Sequence, residues 1–190
     1  MKDNLLLILK SILGGIVIAI GSLIYVKNNN PAGAFAFSIG LLIIFNLGYK
    51  LYTGVVGYPK ENSIRDILII LCGNVIGCLI LLTFPVSEIA VTLVSNKILD
   101  PWYLTFVKAL LCGGIIFSCC EFHRNNKDYL VPIGIMGFIM AGAEHSIADL
   151  CYIVLARAFT IKVLIFIIIV IIGNAVGALL FNYGKGLSKT

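Results

Sequence analysis

The sequence predicts an all-α membrane protein. It has six transmembrane helices arranged as two three-helix repeats of opposite orientation, with the second and fifth helices broken. Three observations lead there. The 190 residues are 60% hydrophobic and only 12% charged, with a mean hydropathy of +1.06, whereas a soluble domain carries about 25% charged residues. The apolar residues fall into six runs, near 5–26, 33–55, 66–84, 101–121, 130–156 and 161–183. Each is close to the roughly 20 residues that cross a bilayer core. Finally, a G-N-x-x-G motif occurs twice, 100 residues apart.

The first span follows MKDN and lacks a small-x-small cleavage site, so it reads as a retained helix and not a signal peptide. The second is interrupted by GYKLYTGVVGYP (48–59), and the third carries CGNVIGCLILL (72–82). The connector SEIAVTLVSNKILDPW leads to the fourth, and the fifth is interrupted by GAEHSIAD (142–149). The sixth contains VLIFIIIVII, whose lack of alternation argues against a β-barrel strand, and continues into IGNAVGALLF (172–181). Short connectors leave one transmembrane domain over 1–190, with repeat one at about 5–84 and repeat two at about 101–183. Lys2, Lys60, Arg65, Arg124, Lys127, Lys185 and Lys189 lie on the side of the termini, against Lys27, Lys97, Arg157 and Lys162 on the other. This bias predicts both termini in the cytoplasm of a cell inner (plasma) membrane. The net charge of +5 fits that topology and gives no reason to expect a nucleic-acid partner. The six cysteines show no metal-ligand spacing and read as reduced, small apolar residues, so neither a metal nor a cofactor is expected.

The repeat extends beyond its motif, because ILKSILGGIVI (8–18) overlays FVKALLCGGII (106–116) with one extra residue in the second. Three spans per copy force the second copy to enter from the opposite side, as in channels and transporters with a midplane binding region. Gly73, Gly77, Gly173 and Gly177 read as close-packing positions. Asn74 and Asn174 are buried amides that require partners in lipid. Matched interruptions in spans two and five are tolerated at membrane depth only where protein surrounds them or a cavity runs past them.

His145 is the one histidine inside a span, and an imidazole titrating near pH 6.5 can relay a proton. Thr53 lies in the other break. Glu144 and Asp149 are costly at this depth unless paired or protonated, and Lys50 in the matching break is the expected partner, clamping the two broken helices together. Phe37, Leu41, Leu51, Tyr52 and Phe138 flank the breaks. Periodicity alone leaves open whether they are ordinary core or narrow apolar rings that gate by dewetting. Lys97 reads either as an interfacial lysine or as a cation concentrating anions at a pore mouth.

With GAEHSIAD after the fifth-helix break, KLYTG at the second and both G-N-x-x-G motifs in place, the chain resembles the formate/nitrite transporter family from about residue 8 to 183. The resemblance implies a homopentamer in the lipid bilayer, an aquaporin-like protomer and a small monovalent anion as substrate. It also implies His145 as central histidine with Thr53 and Asn174 beside it, Phe37, Leu41, Leu51, Tyr52 and Phe138 as constrictions, and Lys97 as a vestibule lysine. The chain departs from the family pattern at Lys50 (a glutamate there), at Asp149 (an asparagine), at Cys112-Gly113 (a Cys-Asn, so that a polar pore group is lost), and in having only MKDN before the first span. The departures look like those of hydrosulfide-channel-like members. The expected function is passage of a weak-acid anion (formate, nitrite or hydrosulfide) neutralised with help from His145. The rival readings are an aquaporin-type channel for neutral solutes and a membrane-embedded enzyme using His145 with Glu144 or Asp149. No cluster for a substrate head group and no nucleophile–base motif supports the enzyme.

Overall fold

The structure, a computed structural model, describes residues 2–187; Lys189, which entered the charge count, lies outside them. Among the described residues every regular element is helical. Four helices are long and apolar enough to cross a membrane: α1 (Lys2–Asn28), α4 (Ile64–Cys78) with the 3₁₀ turn Leu79–Thr83, α6 (Trp102–Arg124) and α9 (Ile161–Leu187). Each of the other two predicted spans is split. The second becomes α2 (Pro31–Leu47) and the single turn α3 (Tyr52–Val55). The fifth becomes α7 (Val131–Met140) and α8 (Ser146–Ala156).

Both splits begin with the same chain reversal. Gly48 and Gly142 each adopt φ +65°, a left-handed conformation that a side chain disfavours. The next N–H turns back, from Tyr49 to the carbonyl of Ile44 and from Ala143 to that of Phe138, 3.0 Å each. This closes the helix carbonyls that would otherwise be bare. The helix stops, and an extended stretch follows before the chain turns helical again.

α1 packs along α4, and α6 along α9. The G-x-x-x-G glycines allow it. A Cβ at Gly77 would fall on the backbone of Ile12 and Ile16, and one at Gly177 on the backbone of Leu110. At Gly73 it would strike the Ser11 side chain, and at Gly173 that of Ala109. These contacts correct the alignment of the two first helices. Gly15 and Gly113 each lie against the carbonyl of the motif asparagine, Asn74 or Asn174, so the helices match without an extra residue. They also correct the reading of Gly113 as a lost polar pore group. Its Cβ position is filled by Asn174 backbone, so this is a helix contact with no room for a side chain.

One element was not expected. The connector after the third span folds as α5 (Glu88–Lys97), with Ser87 capping it by accepting the Ala90 N–H at 3.3 Å. It packs on α8. Arg157, the left-handed cap of α8, donates to the carbonyls of Leu82 and Phe84 at 2.8 and 2.9 Å and so closes the end of the 3₁₀ turn.

Candidate functional site

The two breaks are held by the two motif asparagines in the same way. Asn74 Oδ1 accepts the N–H of Tyr52 at 2.8 Å, while its Nδ2 donates to the carbonyls of Lys50 (2.8 Å) and Ser11 (2.7 Å). Asn174 Oδ1 accepts the N–H of Ser146 at 2.8 Å, while its Nδ2 donates to the carbonyls of Glu144 and Ala109, 2.8 Å each. One amide thus satisfies a donor and two acceptors of interrupted backbone, which suits a buried amide. Both asparagines are fully buried. Both amide hydrogens of Asn174 are spent on backbone, and it latches the break as Asn74 does.

His145 stands immediately before α8 and caps it. Its Nδ1 accepts the Ala148 N–H at 3.1 Å, and its Nε2 lies 2.9 Å from Thr53 Oγ1. The cap fixes the tautomer. A nitrogen accepting a backbone N–H presents a lone pair, so the neutral ring carries its proton on Nε2 and donates it to Thr53. The Thr53 hydroxyl hydrogen then points away from the ring, free for a third group. Both residues are buried, and their bond joins one broken helix to the other.

Two cavities approach this pair. One, of about 380 Å³, is lined by Phe138, Ala143, Glu144, His145, Ala148 and Asp149, with Lys97, Lys108 and Asp100 farther out. The other, of about 180 Å³, is lined by Leu51, Gly54, Tyr58, Lys50, His123 and Arg124. Of the five apolar positions proposed as constrictions, Phe138 lines the larger cavity and Leu51 the smaller. Phe138 stacks on His145 with centroids 5.7 Å apart, and Phe37 meets Phe138 edge-on at 6.3 Å. Phe37 and Leu41 are buried and line neither cavity. Tyr52 turns aside, and its hydroxyl donates to the Ile171 carbonyl of α9 at 3.0 Å.

The charges are arranged differently from expectation. Lys50 does not pair with the buried acids. Lys97, at the end of α5, contacts Glu144 Oε2 and lies 3.1 Å from Asp149 Oδ1. The reason is positional. Lys50 and Glu144 occupy equivalent places in the two breaks, each giving its carbonyl to a latch asparagine, and they line different cavities. Lys97 does line the larger cavity, as a vestibule lysine would, but as part of an ion cluster. The sequence reading missed the neighbouring Lys108–Asp100 pair at 2.5 Å. It also missed Arg124 on the smaller cavity, which lies 3.8 Å over the Tyr58 ring and pairs with Glu61 at 2.6 Å. That guanidinium holds the Glu61 carboxyl below its usual range. Asp100 lies in a loop and Arg124 at a helix end, where hydropathy carries no signal.

The formate/nitrite transporter family model matches residues 2–184. The chain belongs to the formate/nitrite transporter family. The fold agrees with two solved structures. A pentameric formate channel with formate bound superposes with a TM-score of 0.83 at 19% identity, covering 99% of this chain and 97% of that one. An FNT family ion channel gives 0.86 at 19% identity, with 100% and 92% covered. No curated protein matches the chain.

Proposed function

We propose that the chain is a channel for small monovalent weak-acid anions, of the class of formate, nitrite and hydrosulfide. Its six spans would form two inverted repeats, five copies would assemble in a cell inner membrane, and both termini would be cytoplasmic. The observation that carries the reading is the buried His145–Thr53 hydrogen bond joining the two broken helices, with its direction set by the α8 cap.

A bare anion between Phe138 and Leu51 would lose its hydration at a cost of several kcal/mol. Neutralisation by a proton removes most of that cost. On this reading His145 is the orienting donor, supported by its hydrogen bonds to Thr53 and to the Ala148 N–H. Protonating Nδ1 would set N–H against the Ala148 N–H and cost α8 its cap, worth about 1 kcal/mol. The neutral ring instead donates to Thr53, which turns its own O–H toward the passing solute. The proton that neutralises the anion then comes from elsewhere.

Thr53→Ser keeps the hydroxyl and should retain flux in proteoliposomes. Thr53→Val keeps the shape and should lower flux about tenfold or more, the value of one hydrogen bond to a charged or half-charged solute. Equal flux in the two variants would contradict the role given to Thr53.

A further inference from the structure

The larger cavity carries charges that do not balance. Lys97 and Lys108 face Asp100, Glu144 and Asp149. Lys108 and Asp100 satisfy each other at the cavity edge. What remains deep inside is one ammonium and two carboxyl groups, whose side chains are 1% and 2% exposed. Lys97 takes one oxygen from each. Both carboxyl groups thus meet at the same ammonium nitrogen. Asp149 Oδ2 is enclosed and has no donor among the described residues.

Two buried carboxylates held on one ammonium repel each other, and a single lysine cannot neutralise both. Sharing one proton removes the repulsion and makes the cluster neutral. The other titratable neighbours supply no competing positive charge. Tyr25 of α1 and Tyr152 of α8 line the same cavity, and Cys112 of α6 is near both acids. His145 has its Nδ1 lone pair committed to the Ala148 N–H.

We infer that Glu144 and Asp149 hold one proton between them at neutral pH, with Lys97 as counter-ion, and that this acid pair protonates the weak-acid anion in the larger cavity. The transfer rests on the anion-channel reading above; the stored proton does not. An anion that enters the larger cavity takes the proton. The carboxyl O–H breaks, the bond to the anion forms, and both carboxylates are left ionised beside Lys97. The neutral acid crosses past Phe138, and a proton from the bulk solution on the larger-cavity side restores the pair.

Infrared spectroscopy of the full-length protein at neutral pH tests the stored proton directly. The parent should show the carbonyl stretch of a neutral carboxylic acid, and folded Asp149→Asn and Glu144→Gln should both lack it. Absence of the band in the parent, or its survival in both variants, would overturn the inference. In proteoliposomes, Asp149→Asn should move the pH of half-maximal anion uptake about one unit lower, a tenfold greater proton demand. An unchanged profile would overturn the donor role. If the band behaves as expected while the parent passes no anion, the channel reading fails and the proton site stands.

Discussion

At residue scale, the same position in the two breaks is filled by Leu51 in one and His145 in the other, each one residue before a backbone N–H held by an asparagine. The frame is repeated and the chemistry is not. Sequence made His145 and Thr53 legible, because a histidine and a threonine in matched breaks of apolar helices have few other uses. It could not show that Asn174 is a latch, since a buried amide looks the same whether it faces a pore or a backbone. Removing the latch should cost stability. Asn174→Ala strands the Ser146 N–H and the Glu144 carbonyl, and Asn74→Ala strands the Tyr52 N–H and the Lys50 carbonyl. Each variant should lose roughly 2–4 kcal/mol, seen as a lower thermal midpoint in detergent. Loss of flux with unchanged stability would restore Asn174 to the pore.

At the scale of elements, the long apolar helices and both interruptions follow from hydropathy and from Gly48 and Gly142. The short helix α5 does not, because Glu88–Lys97 is neither apolar enough for a span nor polar enough to read as a loop. Missing it left Lys50 as the apparent partner of the acids. Lys97→Met removes the one cation touching both buried carboxyl groups among the described residues. The variant should be destabilised by about 3–5 kcal/mol. Lys50→Met should leave the thermal midpoint within about 0.5 kcal/mol of the parent's, as for a substitution away from buried networks. The opposite order would return the clamp to Lys50. Gly77→Val and Gly177→Val would force apart the helix pairs α1–α4 and α6–α9, and both should fail to give folded protein in detergent.

At the scale of the whole molecule, the two mouths differ in charge. Lys50, Arg124 and His123 line the smaller cavity, whereas acids outnumber lysines in the larger one. Anion capture from the smaller side should therefore be the more sensitive to salt. Lys50→Glu should slow entry from that side without altering entry from the other, measured in vesicles sorted by orientation. The central claim is that this frame passes a weak-acid anion as its neutral acid. The most direct measurement is flux of formate, nitrite and hydrosulfide into proteoliposomes across pH, with water and glycerol permeation beside it. The account predicts saturable flux of at least one anion that rises as pH falls and collapses in Thr53→Val. Free passage of water or glycerol by folded protein that carries none of the three anions would contradict it.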